Sequence, residues 1–503
     1  MIGKAVARVQ FGLRRDHSLG TLFERLAAAY GDRRLVEHGE TGRRTSFREA
    51  AALVDRWAGA LHARIGASDR VVVATRNTYD QLLVCAAVAR AGGIAVPVNE
   101  RMRAEEIDHV VADAAAALVV GSPDDLDGHE PLGWAVPAGP GDVAALFYTS
   151  GTTGSPKGVA LSHRALIGEL SRTALLPLVG RRDEAIMGLP LAHIMGFSAA
   201  LGFAAAGIPV VAFERFDAEA VLDAIAGRRA SVFIGVPAMY RLMLDAGAAG
   251  RDLTSVRLWL SGADVLPPDV ARQFQTFGAT VSLPLLGAVG DAVVAEGYGM
   301  AELAGAVAGK VRLPLPFVNR LLPGDALGVP LPGFTLRVVG DDGCDVRPGQ
   351  VGELWVKGPG VAAGYWGDAS ATSRLLTDDG WARTGDLAVR GPLGSVRFAG
   401  RSKDVVKHGG FSVYAVEVEE VLQRQPVVAE AAVVGVADPR FGEQVAAAVR
   451  LVPGATAEPD ELMAACRQHL AHYKCPTWLL IVDDLPRNGT GKVDKGEVRA
   501  LFT

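Results

Sequence analysis

The stretch Tyr148-Thr149-Ser150-Gly151-Thr152-Thr153-Gly154-Ser155-Pro156-Lys157-Gly158 decides the interpretation of this chain. It follows a strand-like apolar run at 143–147, and a glycine-rich turn after a buried strand is suited to binding anions. Its backbone N–H groups, its hydroxyls and its lysine can all donate hydrogen bonds to a polyphosphate. No Ser or Thr follows the lysine, so the stretch differs from the GxxxxGK[ST] pattern. We predict a phosphate-binding loop that is not a P-loop.

Outward from this loop, β-branched runs alternate with Ala-rich stretches, which is typical of layered α/β proteins. Residues 71–74 and 118–120 are strand-like, and residues 80–91 are helical in pattern. Between residues 328 and 398 the pattern changes to short strands separated by turn sequences, which predicts a β-rich subdomain. We therefore predict a large N-terminal domain at 1–400, a hinge at 401–403 and a small α+β domain at 404–503.

Composition excludes several classes of protein. The 503 residues are 49% hydrophobic and 21% charged, which suits a globular protein with a large core and excludes disordered and collagen-like chains. With 51 Lys and Arg against 56 Asp and Glu, the net charge is -5, so we expect no nucleic-acid partner. The four cysteines lack disulfide or metal-ligand spacing, which favours a cytoplasmic location.

The amino terminus does not have the pattern of a signal peptide, because basic and apolar residues alternate through residues 1–30. Residues 1–15 predict a leading helix packed on the body. Contact of this helix with the inner face of a membrane is the alternative hypothesis. Residues 191–213 are apolar but interrupted by His193 and Pro209, which favours a buried helix followed by a strand over a transmembrane helix.

The loop at 148–158 resembles the TSGTTGxPKG signature of the ANL superfamily of adenylating enzymes. This superfamily includes acyl- and aryl-CoA synthetases, peptide-synthetase adenylation domains and firefly luciferase. Further motifs follow in the order of that superfamily: PLAH at 190–193, SGA at 261–263, YGMAE at 298–302, GE at 352–353, WARTGD at 381–386, GRSKD at 400–404 and NGTGK at 488–492. The resemblance covers about Phe47 to Lys492 and is strongest to the fatty-acyl-CoA synthetases.

The resemblance implies a fold and a division of labour. The fold would be of the acyl-CoA synthetase/luciferase type, with layered α/β subdomains and a β-rich subdomain in an AMP- and acyl-binding domain, followed by a mobile C-terminal domain. Nucleotide binding would fall to Thr149, Ser150, Gly151, Thr152, Thr153, Gly154, Lys157, Gly262, Ala263, Tyr298, Gly299, Met300, Asp386 and Arg401. Glu302 would hold Mg²⁺, for which a carboxylate is a suitable ligand. Gly409 and Gly410 would let the pantetheine chain of CoA pass close to the backbone, and Lys407 would steady one conformation of this CoA-binding turn.

The resemblance also implies catalytic roles. Thr149, His193, Glu302 and Lys492 form the predicted catalytic set, in which Lys492 would neutralise charge as a substrate carboxylate attacks the α-phosphate. The chain departs from the family pattern at Ala301, where a threonine is usual. A hydroxyl contact to phosphate is therefore missing, which leaves open a weakly catalytic acyl-nucleotide binder.

The acid is predicted to be apolar. The stretch 191–194 lacks the aspartate that amino-acid-activating members use, and the candidate pocket at 233–240, Gly262 and Gly297 offers no charge for a dicarboxylate. We expect a fatty-acyl-CoA synthetase for medium- to long-chain acids, with ATP, Mg²⁺ and CoA. Transfer to carrier-protein phosphopantetheine and an aryl-CoA ligase are the alternatives. Residues 281–297 and 312–322 either extend an acyl tunnel or contact a membrane, or form a buried hairpin and loop.

Overall fold

The computed structural model describes residues 2–14, 16–149, 156–175, 183–283, 287–313, 326–391, 394–487 and 492–502. The chain divides into two compact units. The first unit comprises Met1–Leu336, Val356–Arg383 and Pro392–Ser395, and the second comprises Arg337–Trp355, Thr384–Gly391 and Val396–Thr503. The domain boundary at residue 400 and the hinge at 401–403 stay predictions.

The N-terminal part of the first unit is built on parallel strands and buried helices. Its elements are α1 (Ile2–Leu13), α2 (Leu19–Tyr30), β1 (Arg34–His38), β2 (Arg44–Ser46), α3 (Phe47–His62), β3 (Arg70–Val73), α4 (Tyr79–Arg90), β4 (Ile94–Pro97), α5 (Ala104–Asp113), β5 (Leu118–Val120) and β6 (Val143–Thr149). Helix α3 begins at a capping box, in which Ser46 accepts from the backbone N–H of Glu49 while the Glu49 carboxylate accepts from that of Ser46. Every residue of α4 is buried, which agrees with its Ala- and Leu-rich sequence.

The middle of the chain continues the same α/β alternation. Its elements are β7 (Lys157–Ser162), α6 (His163–Ile167), β8 (Ala185–Met187), α7 (Ile194–Ala206), β9 (Val210–Ala212), α8 (Ala218–Arg228), β10 (Val232–Gly235), α9 (Pro237–Asp245), β11 (Leu258–Gly262), α10 (Pro268–Phe277), β12 (Val281–Leu283), β13 (Gly287–Val289), β14 (Val293–Met300) and β15 (Gly305–Arg312). The helix and strand predicted within 191–213 are confirmed as α7 and β9. Strands β12 and β13 pair as a hairpin, while most of the predicted 312–322 segment lies outside the described residues.

The rest of the chain is richer in strands. Its elements are β16 (Ala326–Pro330), β17 (Thr335–Val339), β18 (Val351–Lys357), β19 (Gly364–Tyr365), α11 (Ala369–Leu375), β20 (Ala382–Arg390), β21 (Val396–Arg401), β22 (Val405–His408), β23 (Phe411–Tyr414), α12 (Ala415–Gln423), β24 (Val428–Asp438), β25 (Gly442–Leu451), α13 (Pro459–His469), β26 (Trp478–Val482) and α14 (Lys495–Ala500). Among the described residues, none of the helices has the length and apolarity needed to cross a membrane.

In the first unit, one sheet has the order β16-β15-β14-β11-β10-β8-β9-β1-β2 and another has the order β19-β7-β6-β4-β3-β5. Strands β14, β11, β10, β8, β9 and β1 run parallel. One buried cluster contains side chains of α4, of α7 and of strands from both sheets. The parallel strands therefore belong to a packed α/β core. In such sheets, ligands commonly bind just outside the carboxyl ends of the strands.

In the second unit, β17, β18, β20 and β21 follow one another across a sheet, and β23, β22, β25 and β24 form another in which β26 pairs with β25. Helices α12 and α13 pack on the second of these sheets around a core that includes Val433 and Val449. The predicted α/β fold, with a β-rich part and a small α+β C-terminal part, is confirmed.

Close packing of α2 on α4 gives the first testable prediction. A Cβ added at Gly20 would lie 2.7 Å from the backbone N and Cα of Arg90. We expect Gly20→Ala to lower the free energy of unfolding by about 2 kcal/mol, because the backbones of α2 and α4 would have to move apart. In α8, a Cβ at Gly227 would have no heavy atom within 4 Å. Gly227→Ala should be neutral or raise stability by up to about 1 kcal/mol. Urea unfolding followed by circular dichroism compares the two variants, and equal shifts would contradict the packing argument.

Candidate functional site

A connected group of polar side chains lies where β7 begins. The Nζ of Lys157, the first residue of β7, donates to Oδ2 of Asp368 at 2.8 Å. On the neighbouring strand β19, the hydroxyl of Tyr365 donates to Oε1 of Glu302 at 2.7 Å. The Lys157 Nζ also lies 5.8 Å from the centre of the Tyr365 ring. The structure therefore connects the predicted phosphate-binding lysine to the predicted Mg²⁺-binding glutamate through one tyrosine.

Backbone pairing explains how these side chains meet. Strand β19 pairs antiparallel with β7, with Tyr365 opposite Val159. Just before β19, the N–H of Ala362 donates to the backbone carbonyl of Glu302 at 2.9 Å. Gly364 has a φ of +138°, and an added Cβ would lie within 2.6 Å of the Thr372 side chain, so only glycine fits there. The segment 362–365 thus binds both the backbone and the carboxylate of Glu302.

Glu302 lies in a short 3-10 turn at Ala301–Leu303 and is 6% exposed. The described residues contain no group of three or more His, Cys, Asp or Glu side chains arranged to hold a metal ion. Mg²⁺ in nucleotide enzymes is usually bound by one or two carboxylates together with phosphate oxygens and water. A single buried carboxylate beside a lysine of a phosphate-binding motif fits that requirement.

The protonation states of the tyrosine and of the aspartate follow from their surroundings. Burial, and then the negative charge of Glu302, raise the pKa of Tyr365 well above its usual range, so the hydroxyl remains a hydrogen-bond donor at neutral pH. The hydrogen bond from Lys157, and then that from the backbone of Ala371, lower the pKa of Asp368. Asp368 also caps the N-terminus of α11. The Asp368 carboxyl is therefore ionised at neutral pH.

The sequence analysis did not identify Tyr365 and Asp368. An Asp before the helical pattern at 369–375 is a recognisable N-cap signal, but the ion pair with Lys157 depends on a contact across 211 residues. Thr149 is described and lies opposite Lys157 in the β6–β7 hairpin. The predicted phosphate-binding residues Ser150, Gly151, Thr152, Thr153 and Gly154 lie outside the described residues.

A second part of the candidate site lies at the carboxyl ends of β11 and β14. Gly262 and Gly297 are paired there in parallel register. A Cβ at Gly262 would lie 3.1 Å from the carbonyl oxygen of Gly297 and 3.4 Å from Cε of Met195, and one at Gly297 would lie 3.2 Å from Cβ of the exposed Ala306. The two glycines therefore allow these strand ends to approach their neighbours closely, beside the uncharged side chains of Met195 and Ala306.

The neighbouring predicted residues continue along the same strand ends. Ala263 follows Gly262 with a φ of +67°, which is rare for a residue with a side chain. Tyr298, Gly299 and Met300 complete β14, and a Cβ at Gly299 would overlap the carbonyl of Gly305. His193 is exposed at the N-cap of α7, where its Nδ1 accepts from the backbone N–H of Met195 at 3.3 Å.

In the second unit, the buried Asp386 forms an ion pair with the exposed Arg401. They are opposite each other in the antiparallel pairing of β20 with β21, and Nε of Arg401 lies 3.2 Å from Oδ1 of Asp386. Asp386 is 5% exposed. The preceding Gly385 has a φ of +70°, and its N–H donates to Oε1 of Glu353 at 3.0 Å. Glu353 of the GE motif therefore has a structural role, because it holds the turn that places Asp386.

The other predicted residues of the second unit lie on turns. Gly409 and Gly410, with φ values of +56° and +85°, form the two-residue turn between β22 and β23. In this hairpin, the Lys407 ammonium donates to Oγ of Ser412 at 2.9 Å. Lys492 is exposed, and the adjacent Val493 forms an isolated β-bridge with Arg487.

The family models settle the family of the chain. Residues 23–135 and 122–366 match the model of the AMP-binding enzyme, and residues 417–492 match that of the AMP-binding enzyme C-terminal domain. The chain belongs to the AMP-binding enzyme family. The resemblance to the ANL superfamily drawn from the motifs is therefore confirmed.

Three relatives show the range of the family near this chain. Feruloyl-CoA synthase of Amycolatopsis sp is 33% identical to this chain, and the alignment covers 97% of this chain and 100% of the synthase. Indoleacetate–CoA ligase of Aromatoleum aromaticum is 32% identical, with coverages of 93% and 96%. Fatty acid–[acyl-carrier-protein] ligase ScoC of Streptomyces coeruleorubidus is 31% identical, with coverages of 92% and 92%. Two of these names specify aromatic acids, so the predicted fatty-acid substrate is not confirmed, whereas an adenylate-forming CoA ligase is supported.

The fold is similar to that of ATP-bound MatB from Rhodopseudomonas palustris. The TM-score is 0.84 at 31% identity, with 96% of this chain and 99% of that chain covered. AMP-binding CoA ligases use ATP, Mg²⁺ and CoA, which confirms the cofactor prediction at the level of the family. The roles of individual site residues stay predictions.

The resemblance implies that the Asp386 carboxylate accepts hydrogen bonds from both ribose hydroxyls of the nucleotide, and this role can be tested. We expect Asp386→Asn to weaken ATP binding about tenfold, because the amide keeps the shape of the carboxylate but loses its charge and one acceptor oxygen. The wild type should prefer ATP to 2′-deoxyATP, and the variant should lose most of that preference. Isothermal titration measures both ligands, with the exposed Asp483→Asn as a control. An unchanged preference in Asp386→Asn would remove the ribose assignment.

Proposed function

We propose that this protein activates an apolar carboxylic acid with a bulky, preferably aromatic, group and transfers it to CoA. In the first step the acid carboxylate attacks the α-phosphorus of ATP, a new C–O–P linkage forms and pyrophosphate leaves. In the second step the thiol of CoA attacks the acyl carbonyl, the C–S bond forms and AMP leaves. The observation that carries this proposal is the uncharged surroundings of Gly262 and Gly297 at the ends of β11 and β14, where the neighbouring side chains are those of Met195 and Ala306.

The residues at these strand ends favour an uncharged substrate. None of the four residues concerned carries an ionised group: Gly262, Gly297, Met195 and Ala306. An aromatic ring suits such neighbours, because it gains from contact with a thioether such as that of Met195. The relatives named for feruloyl-CoA and indoleacetate agree with this choice.

The polar group around β7 supports the first step. Lys157 brings a positive charge next to the phosphate motif, and Glu302 is the residue that would hold Mg²⁺. When bound, that ion neutralises phosphate charge and helps pyrophosphate to leave. Lys492 would neutralise charge on the α-phosphate, and His193 would lie beside the acid. The carboxylate of the substrate is itself the nucleophile, so this step needs no protein nucleophile.

A second candidate function is supported by one relative. ScoC is named for a fatty acid and for an acyl-carrier protein as acceptor. A medium- or long-chain fatty acid also suits uncharged neighbours such as Met195 and Ala306. Carrier-protein phosphopantetheine presents the same thiol group as CoA. The choice of acid and the choice of acceptor are thus separate questions and need separate measurements.

A product assay tests the proposed function. The protein is incubated with ATP, Mg²⁺, CoA and a panel of ring-containing, aliphatic and dicarboxylic acids, and the products are identified by mass spectrometry. We expect acyl-CoA from cinnamate-like or arylacetate-like acids in preference to aliphatic acids. Acyl-CoA from aliphatic acids alone would favour the second candidate. Acyl-AMP without acyl-CoA would move the acceptor to a carrier protein, and no product would favour a weakly catalytic binder.

Crowding these strand ends gives a sharper test of where the acid binds. We expect Gly297→Leu to lower kcat/KM for ring-containing acids at least tenfold, because the new side chain would crowd Ala306, beside which we propose that the acid binds. Activity with acetate or propionate should be retained or increased. Gly227→Leu, on the exposed side of α8, is the matched control. An equal loss for large and small acids would place the acid elsewhere.

A further inference from the structure

We propose that Tyr365 is a positioning residue, which orients the Glu302 carboxylate for the magnesium ion that accompanies the nucleotide. The proposal rests on the proposed function, since it concerns how the same site holds Mg²⁺ and ATP. The observation is the hydrogen bond of 2.7 Å from the tyrosine hydroxyl to one carboxylate oxygen. This bond occupies Oε1 and leaves Oε2 as the oxygen that a cation can share.

Tyr365 is itself held firmly by its neighbours. Its backbone N–H donates to Oγ1 of Thr372 at 2.9 Å, and it pairs with Val159 on β7. The next N–H along the chain, that of Trp366, donates to the carbonyl of Gly158 at 2.7 Å. A ring fixed at its backbone on both sides has little freedom, so its hydroxyl fixes the rotation of the carboxylate that it contacts.

The same short turn also fixes the lysine. Within residues 365–368, the N–H of Asp368 donates to the carbonyl of Tyr365 at 3.2 Å, and the carboxylate of Asp368 accepts from Lys157. One turn therefore determines where both the Lys157 ammonium and the Glu302 carboxylate lie. A cation bridging protein and phosphate requires this spacing to be constant, because Mg²⁺ tolerates little departure from octahedral geometry.

A metal-binding measurement distinguishes positioning from simple support of the fold. Mn²⁺ replaces Mg²⁺ as the probe, and the nucleotide is the α,β-methylene analogue of ATP, so that no turnover occurs. Electron paramagnetic resonance of free Mn²⁺ gives the affinity of the protein–nucleotide complex for the ion. We expect Tyr365→Phe to weaken this affinity about tenfold, in keeping with the loss of one hydrogen bond to a charged group.

A matched control removes a buried hydroxyl elsewhere. Tyr30 donates its hydroxyl hydrogen to the carbonyl of Ala205 at 2.6 Å, on α2 and away from the residues assigned to the site. Tyr30→Phe should leave the Mn²⁺ affinity unchanged. The melting temperatures of both variants show whether either loses stability. If Tyr365→Phe melts earlier but binds Mn²⁺ as the wild type does, the tyrosine only supports the fold and the proposal is wrong.

A double-mutant cycle tests whether the tyrosine acts through the glutamate. Glu302→Gln should weaken Mn²⁺ binding alone, and adding Tyr365→Phe to it should cause little further loss. Independent losses that multiply would overturn the proposal. If the wild type with nucleotide fails to bind Mn²⁺, then the proposed function is itself wrong. If the wild type binds it and Tyr365→Phe binds it equally, only the positioning role fails.

Discussion

The hydrogen bond between Tyr365 and Glu302 connects two segments that lie 63 residues apart in the sequence. It exists because β19 adds to the edge of the sheet that carries β7, and because Gly364 adopts a φ that residues with side chains rarely reach. The phosphate motif and the glutamate motif come from different sheets of the first unit. A strand of two residues thus brings one sheet's lysine and another sheet's carboxylate into the same polar group.

The sequence predicts those site residues that lie within continuous motifs. Lys157 and Glu302 could be proposed as site residues from their own motifs, and α7, β9 and β6 could be predicted from hydrophobic patterning. Tyr365 could not, because a tyrosine in a Gly-Tyr-Trp sequence is most often a packing residue, and only strand pairing gives it a carboxylate partner. Glu353 shows the same limit, since its role depends on the N–H of Gly385, which lies 32 residues away.

The identity of the acid is harder to predict for a related physical reason. Gly262 and Gly297 let the strand ends pack closely, and a missing side chain leaves no periodic signal in a sequence. Apolar character was expected from 233–240 and from the missing aspartate, but the close approach of Gly262 to Gly297 depends on the register of β11 with β14. The expectation of an acyl chain followed from apolar character, including that of residues 281–297 and 312–322, and an aromatic acid would satisfy the same apolar character.

Backbone strain at the strand ends points to the same region. Ala263 and Ala304 both have positive φ values, of +67° and +56°, although neither is glycine. Such conformations cost about 1 kcal/mol each and persist where the surrounding structure holds them. Ala263 follows the glycine pair, and Ala304 follows the turn that carries Glu302. Two residues before Ala304, the backbone carbonyl of Glu302 accepts a hydrogen bond from the N–H of Ala362. This hydrogen bond holds the backbone that carries the carboxylate, and it also helps to hold the turn in a conformation that alanine disfavours. The strain at Ala304 is therefore offset by the same contacts that place the Glu302 carboxylate.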